Sequence, residues 1–309
     1  MSGDFLRKVD KTVRFHTRRA LRVARGAWWS MARPPAVQPV FVVGCSRAGT
    51  TVVYKVLSEA DELGSLSRET HDFWDARHPV AERRWSTHAL GTRDASSMDR
   101  DHVTRYFFSQ TGRHRWVDKN NQNGLCVPYL NALFPDAKFV FVTRHPGDNL
   151  ASLIEGWSRP EEFATWSGQL EVRVNFEGRS LPWCFFLAEG WRAYVDRPLE
   201  EICAFQYRAM NEALLTAERT LAPERWTRLA YEDLLRAPHE ATRQLFARLG
   251  LRYDSPAAER CKAALGQTYN AFSTIAVDKW RSSPHATRVA RVLPELAPLA
   301  ARLGYAIDP

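Results

Sequence analysis

Short apolar runs rich in β-branched residues alternate along this chain with segments in which apolar residues recur at helical spacing. The apolar runs predict strands at 40–43, 115–118, 138–143 and 226–231. The helical spacing predicts helices near 50–60, 125–134, 147–157, 200–221, 238–249, 256–265 and 286–303. Because alternating strands and helices join into a parallel sheet through right-handed crossovers, we expect an α/β fold with a mostly parallel central sheet flanked by helices.

The first predicted strand continues into a glycine loop and then a helix (residues 39–57, PVFVVGCSRAGTTVVYKVL). In this arrangement the loop amides and the helix N-terminus cradle phosphate-like anions. Gly44 and Gly49 have the spacing of a Walker loop, but the lysine that should follow is absent and the cation is Arg47, inside the loop. The pattern predicts a P-loop-containing three-layer fold whose loop binds an anion without the metal arrangement of an NTPase.

A second strand and helix, at residues 137–157 (AKFVFVTRHPGDNLASLIEGW), repeat this organisation. Pro146 suits the first turn of the helix, and Asp148 suits its positive end. Arg144 ends the strand, and Ser152 follows eight residues later, about two turns into the helix. Since ligands of open α/β sheets bind outside the carboxyl ends of the strands, we expect both loops to face a ligand.

Together the two segments resemble the PAPS-dependent sulfotransferase family. GCSRAGTT (44–51) is similar to the family's 5′-phosphosulfate loop, and TRHPGDNLAS (143–152) is similar to its 3′-phosphate motif, with His145 in place of the common Asp. Weaker similarities are WVDKNNQN (116–123), which lacks the Pro of the family's K-[ST]-P segment, LAYEDLL (229–235) and the basic DKWR (278–281). The resemblance covers roughly residues 37–303.

This resemblance implies a site for PAPS, the sulfuryl donor that leaves as PAP, and it implies no metal. Arg144 and Ser152 would be the ligands of the 3′-phosphate. The residues that the resemblance assigns to the co-substrate are Cys45, Ser46, Arg47, Ala48, Gly49, Thr50, Thr51, Arg144, Ser152, Tyr231, Lys279, Trp280 and Arg281. Sulfuryl transfer depends mainly on positioning and on stabilisation of charge, so fixed cations serve in place of a metal.

The resemblance also places a general base in SLSRETHDFW (65–74), which would face the loop across the cleft. Glu69 is the first candidate and His71 the second, because related enzymes often use a Glu here, whereas cytosolic steroid and phenol types use a His elsewhere. A carboxylate needs a raised pKa to act well as a base. Lys119 would bridge the leaving-group and sulfuryl oxygens, and Arg47 would stabilise the 5′-phosphate as it leaves.

Positive charge is concentrated at the N-terminus. The 309 residues carry a formal net charge of +8, and residues 1–36 account for +7 of it. At helical spacing this segment has an apolar side and a basic side. The apolar side comprises Phe5, Val9, Val13, Ala20, Val23, Ala24 and Ala27, and the basic side comprises Arg7, Lys11, Arg14, Arg18, Arg22 and Arg25.

Two interpretations of this N-terminal helix stay open. It can lie on an anionic membrane surface with Trp28 and Trp29 at the headgroups, or it can pack on its own domain. Nucleic acid binding is not expected, because no basic groove with interleaved aromatic residues follows the helix. We expect the segment 1–36, which ends in a proline-rich linker, to precede a sulfotransferase domain at 37–309.

Within that domain, residues 157–194 form an aromatic-rich insertion. Most of its rings suit a core, and Trp157 and Trp166 are candidates for a flap that covers the acceptor. The chain has five widely spaced cysteines and no C-x-x-C pair, which indicates reduced thiols and a cytoplasmic setting. Cys45 is either a small loop filler or, in an electropositive loop, a reactive thiol. No run is long enough to span a membrane, and no secretory signal is indicated.

The predicted function is transfer of a sulfuryl group from PAPS to a hydroxyl of a saccharide, glycolipid or small metabolite, in the cytoplasm and with possible association with a membrane surface. Two alternatives remain: a kinase-like P-loop enzyme, which the missing Walker lysine disfavours, and a catalytically inactive, membrane-associated member of the fold.

Overall fold

A computed structural model describes residues 2–269 and 276–307, with side chains from residue 16 onward. The strands are β1 (Val40–Gly44), β2 (Val117–Lys119), β3 (Lys138–Thr143), β4 (Arg173–Phe176), β5 (Arg179–Pro182) and β6 (Trp226–Ala230). The helices are α1 (Ser2–Ala32), α2 (Thr50–Leu57), α3 (His71–Asp75), α4 (Ser97–Thr111), α5 (Val127–Leu133), α6 (Pro146–Trp157), α7 (Pro160–Phe163), α8 (Leu199–Glu218), α9 (Tyr231–Arg236), α10 (Pro238–Leu249), α11 (Ser255–Leu265), α12 (Ala286–Val292) and α13 (Ala297–Leu303).

The central sheet has the order β2-β1-β3-β6, and all of its strands are parallel. The prediction of a mostly parallel sheet flanked by helices is confirmed. In the register of β1 and β3, Gly44 lies opposite Val142, so the loops that follow these two strands leave the same edge of the sheet side by side. The expected strand at 115–118 begins later, at Val117, because Trp116 makes only an isolated bridge, to Gly64.

The alternation of side chains along β1 and β3 divides the core into two layers. Phe41 and Phe139 point into one hydrophobic cluster, which includes residues of α5, α6 and α8. Val40 and Val140 point into a second cluster, which includes residues of α2, α10 and α11. Both faces of the sheet are therefore covered, as a parallel sheet requires, and the three layers predicted from the sequence are present.

The aromatic-rich segment 157–194 contains α7 and an antiparallel hairpin of β4 and β5, which the sequence analysis did not predict. Glu177 and Gly178 both have positive φ, as in a two-residue hairpin turn. Trp157 is buried, and its Nε1 donates a hydrogen bond of 3.2 Å to Gln206 Oε1. Trp157 thus belongs to the core, contrary to its prediction as part of a flap.

Candidate active site

A cavity of about 390 Å³ opens at the carboxyl ends of β1, β2 and β3. Twelve of the predicted site residues line it: Ser46, Arg47, Gly49, Thr50, Thr51, Glu69, His71, Lys119, Arg144, Ser152, Tyr231 and Lys279. The lining also includes residues that no motif had singled out as a ligand: Val52, Asn121, Glu162, Phe163, Thr165, Trp166, Phe185 and Tyr269. Cys45, Ala48, Trp280 and Arg281 were assigned to the co-substrate but are not part of this lining.

The loop after β1 is closely packed, which explains its small residues. A Cβ on Gly44 would lie 2.6 Å from the carbonyl oxygen of Val142. Gly49 has φ +97°, and a Cβ on it would collide with the ring of Tyr231. These two glycines let the loop turn tightly between the sheet and Tyr231, so that α2 begins with its free N–H groups at the cavity.

Cys45 and Ala48 are buried beneath this loop and do not face the cavity. Burial raises the pKa of the Cys45 thiol. A thiol with a raised pKa is protonated and unreactive, so the interpretation of Cys45 as a reactive group is wrong. Cys45 fills space in the core, which was the other interpretation left open.

Arg144 and Ser152 meet the loop as the spacing of the 3′ motif implied. Arg144 Nη1 donates a hydrogen bond of 2.8 Å to the carbonyl oxygen of Arg47, and Arg144 Cζ lies 4.9 Å from the centre of the Tyr231 ring. Ser152, two turns into α6, accepts a hydrogen bond of 3.2 Å from Arg47 Nε. The buried atoms Arg144 Nε and Ser46 Oγ have no hydrogen-bond partner in the described part of the chain. Buried hydrogen-bond donors rarely lack a partner in folded proteins, so two of them beside this loop fit a binding site for an anion.

Arg47 connects the two motifs. Its guanidinium carbon lies 5.3 Å from the centre of the Phe163 ring, so the side chain runs from the loop past Ser152 to the aromatic segment. Burial, and secondarily the charge of Arg144, lower the pKa of Arg47 to about 10. Two guanidinium groups that share a cavity repel each other, and an anion between them would relieve that repulsion.

Glu69, His71 and Lys119 form a second cluster on the cavity wall. Lys119 Nζ lies 2.6 Å from Glu69 Oε1, and Thr51 Oγ1 donates to the same oxygen at 3.2 Å. His71 Nε2 lies 2.5 Å from Glu69 Oε2. Burial by itself raises the pKa of the Glu69 carboxyl, but the charges and hydrogen bonds of Lys119 and His71 outweigh burial and hold that pKa well below its usual range. Glu69 is therefore a carboxylate, with both oxygens engaged.

A buried aspartate brings this cluster together. Asp118 Oδ1 accepts a hydrogen bond of 2.6 Å from Thr70 Oγ1, and Asp118 Oδ2 accepts one of 2.8 Å from Trp74 Nε1. Thr70 stands between the two candidate bases, and Asp118 precedes Lys119 in β2. The Asp118–Thr70 bond thus fixes the segment that carries the bases against the strand that carries the lysine. Sequence reasoning quoted Asp118 within WVDKNNQN but gave it no role.

The late basic segment contributes one side chain to the cavity, and two of its members lie outside. Lys279 lines the cavity, and burial, followed by the charge of Arg144, lowers its pKa. Trp280 is buried, and its backbone N–H donates to Asp148 Oδ1 at 2.9 Å, which anchors the segment to the first turn of α6. Arg281 lies against the Trp280 ring, away from the cavity. Trp280 thus anchors the segment that carries Lys279.

His145, the departure from the family's motif, caps α6. Its Nδ1 accepts a hydrogen bond of 3.2 Å from the N–H of Gly147. An aspartate at this position would cap the helix with a carboxylate oxygen in the same way. Replacement of the usual Asp by His therefore leaves the helix start intact, and Arg144 and Ser152 keep their places.

The described residues contain no group of three or more His, Cys, Asp or Glu side chains that could hold a metal ion. None of the helices in these residues combines the length and the hydrophobicity needed to cross a bilayer. Among the described residues that line the cavity, Arg47, Lys119, Arg144 and Lys279 are the basic Arg and Lys side chains, and Glu69 and Glu162 are the acidic ones.

Comparison with known proteins agrees with this site. The model of the sulfotransferase family matches residues 39–182 and 179–255, and the chain belongs to that family. The match includes both anion-binding motifs and the Glu69–Lys119 cluster. The kinase-like alternative finds no support in this membership.

Among curated proteins, the chain is similar to the nodulation protein NoeE of Sinorhizobium fredii, with 26% identity over 133 residues. That match covers 39% of the chain and 32% of NoeE, so the chain spans about a third of the length of this relative.

Three solved structures share the fold. The sulfotransferase domain from the curacin biosynthetic pathway has 14% identity and a TM-score of 0.51, with 89% of this chain and 100% of that chain covered. Sulfotransferase STF9 from Mycobacterium avium has 16% identity and a TM-score of 0.52, with coverage of 88% and 80%. A sulfotransferase from Alicyclobacillus acidocaldarius has 18% identity and a TM-score of 0.50, with coverage of 89% and 97%.

Proposed function

We propose that this protein transfers the sulfuryl group of PAPS to a hydroxyl of a saccharide, glycolipid or small metabolite. The observation that carries the proposal is the convergence of two anion sites in one cavity: the loop after β1, and the pair Arg144 and Ser152 after β3. A nucleotide with both a 5′- and a 3′-phosphate is the ligand that needs two such sites.

The residues of these motifs fit the co-substrate. The amides of Gly49, Thr50 and Thr51 would hold the 5′-phosphate, with Ser46 Oγ as a further donor. Arg144 Nε and Ser152 Oγ would hold the 3′-phosphate, and Arg47 would neutralise charge between the two. PAPS supplies the activated sulfuryl group, and these residues hold it in position.

Lys119 would couple the donor to the base. Its ion pair with Glu69 is a major reason for the low pKa of that carboxyl. A negatively charged sulfuryl group beside Lys119 would share the lysine's charge, and the pKa of Glu69 would then rise toward the range of a useful general base. Glu69 would thus become active when the donor is bound, and His71, on its other oxygen, would take part in removing the proton from the acceptor.

The acceptor would bind against an aromatic wall made of Phe163, Trp166 and Phe185, which lines the same cavity and meets the phosphate loop where Arg47 reaches the Phe163 ring. Flat aromatic faces suit sugar rings and lipid chains, while Asn121 and Glu162 offer hydrogen bonds beside them. A cytoplasmic setting is part of the proposal, and all five cysteines, which are free and buried, support it.

Binding of PAP tests the nucleotide assignment separately from the acceptor. In a thermal-shift titration PAP should raise the melting temperature and ATP with Mg²⁺ should do so much less. The stabilisation expected at a hundred times Kd is about 2.7 kcal/mol. No shift with PAP would refute the assignment. Incubation with sulfur-labelled PAPS and a panel of glycans, glycolipids and phenols then tests transfer, and labelled product would exclude the inactive alternative.

A further inference from the structure

The C-terminal part of the first helix packs against the rest of the protein, chiefly against α4. Trp29 is 5% exposed, and its Nε1 donates a hydrogen bond of 3.0 Å to the carbonyl oxygen of Pro34. Trp28 stacks on Phe108 of α4, and Arg25 Nη1 lies 3.4 Å from the carbonyl oxygen of Gln110 at the end of the same helix. The prediction that both tryptophans sit at lipid headgroups is wrong for Trp29, which packs on its own domain.

N-terminal to these contacts, the side chains of α1 that the structure describes lie at the surface. Every side chain from residue 16 to residue 24 is exposed. The members of the predicted apolar stripe that precede residue 16 lie outside the described side chains. An exposed helical segment of this length gains no stability from packing and needs an apolar partner to be stable.

The exposed side of α1 is apolar. At about 100° per residue, six of its described residues fall within an arc of about 100°. One is His16, and the other five are Ala20, Val23, Ala24, Ala27 and Met31, which together we call the α1 apolar face. All five are exposed, Val23 to 64% and Met31 to 80%. The face points away from α4, because Arg25 and Trp29, which contact the domain, lie on the other side of the helix.

Outside the α1 apolar face, the described surface of the helix carries basic residues together with the exposed Leu21 and Trp28. Arg19 borders the α1 apolar face, and Arg18 and Arg22 lie opposite it; all three are exposed. Arg19, at the border of the face, lies close to a surface that the face touches, whereas Arg18 and Arg22 lie about 10 Å away across the helix, beyond the Debye length of about 8 Å, and interact with that surface more weakly. The helix segment holds nearly all of the net positive charge of the chain.

We infer that the α1 apolar face binds the surface of an anionic lipid bilayer, with α1 lying between the membrane and α4. The positive charge of the helix favours a membrane surface over a second copy of the chain as the partner of this face. A second copy would bring another strongly basic helix against the first, whereas anionic lipids neutralise the arginines and accept Val23 and Met31 among their acyl chains. This inference goes beyond the proposed function and does not depend on it.

Co-sedimentation of the full chain with vesicles tests the inference. The protein should pellet with phosphatidylcholine vesicles that contain phosphatidylglycerol, much less with phosphatidylcholine alone, and less as salt is added. Val23→Glu and Met31→Glu should each weaken pelleting by about tenfold, since a carboxylate then has to enter the apolar boundary. Met98→Glu is the matched control, because Met98 is 71% exposed on α4 and lies outside the α1 apolar face.

Failure of the wild type to pellet with anionic vesicles would overturn the inference, and so would equal pelleting of the Val23→Glu and Met98→Glu variants. Light scattering after gel filtration tests whether a second copy of the chain covers the face instead. A wild-type dimer that Val23→Glu converts to a monomer would assign the face to a second copy. Melting curves without ligand show that each variant is folded. None of these measurements uses PAPS, so their outcome is independent of the proposed activity.

Discussion

The two sides of the cavity are built in different ways. On the donor side, the loop after β1 and the pair Arg144 and Ser152 each belong to a continuous strand–loop–helix segment. The strands of these two segments, β1 and β3, are neighbours in one sheet. On the acceptor side, Phe163, Trp166 and Phe185 come from loops and short helices of one irregular segment and face Tyr269 from a distant part of the chain. The two phosphate motifs of the proposed donor side are thus each local in sequence, whereas Tyr231, Lys279 and the proposed acceptor wall reach the cavity through tertiary packing.

Glu69 stands between the two sides, and its replacement should have the largest effect. Glu69→Gln should keep PAP affinity and lower kcat by about 10²- to 10⁴-fold, because the amide cannot accept the proton. His71→Ala should lower kcat much less. Rate measurements at saturating PAPS, with PAP binding measured in parallel, decide between the two residues. A large loss for His71→Ala and a small one for Glu69→Gln would move the base to His71.

Removal of Arg144 tests the donor side by itself. Arg144→Ala should cost about 1.5 to 3 kcal/mol of PAP affinity, because a charge-assisted hydrogen bond to the 3′-phosphate is lost. Arg144→Lys should restore part of it, since a point charge cannot replace the planar guanidinium. Isothermal titration with PAP measures the loss. Arg243→Ala is a suitable control, because Arg243 is exposed on α10 and pairs with Glu240. Equal affinity in all four proteins would show that the 3′ motif was misinterpreted.

Two tryptophans of the aromatic segment separate acceptor contacts from core packing. Trp166→Ala should raise the acceptor KM about tenfold and leave PAP affinity unchanged, since Trp166 lines the cavity beyond the phosphate motifs. Trp157→Ala should instead lower the free energy of unfolding by about 3 to 5 kcal/mol, because Trp157 is fully buried. Steady-state kinetics and urea unfolding of both variants give the comparison. Parallel losses in acceptor KM and PAP affinity for Trp166→Ala would assign that residue to packing.

The smallest expected effect is on the pH dependence of stability. The pKa of Glu69 is lower in the folded protein than in the unfolded chain, so its ion pair with Lys119 stabilises the fold above the unfolded value of about 4.3 and is lost as the pH falls below it. Acidification below that unfolded value should therefore destabilise the wild type more than Glu69→Gln. Melting temperatures across this range provide the test, and identical pH profiles would contradict the pairing.

Binding of the donor should change that same titration. The pH profile of kcat reports the pKa of the base in the complex with PAPS, and the pH profile of kcat/KM reports its pKa in the free enzyme. The first pKa should be higher, because Lys119 then interacts with the sulfuryl oxygens. Lys119→Met should remove the difference in pKa between the kcat profile and the kcat/KM profile, and it should lower kcat. An equal pKa in the free and the donor-bound wild type would show that Lys119 does not control the pKa of the base.

The sequence by itself determined the alternation of strands and helices, the two candidate anion-binding turns and the spacing of Arg144 and Ser152, since each depends on residues only a few positions apart. A strand that ends in a small-residue loop and then a helix presents its amides to a ligand whatever the rest of the chain does. Tertiary structure decided the rest. The Asp118–Thr70 bond brings Lys119 to Glu69 from 50 residues away and reverses the pKa shift that burial alone would cause. Packing buried Trp157 and left Trp166 at the cavity, although both belong to one aromatic-rich stretch. The contacts of Arg25 and Trp29 with the domain determined which side of an amphipathic helix remained exposed, because periodicity defines the faces of a helix but not their neighbours.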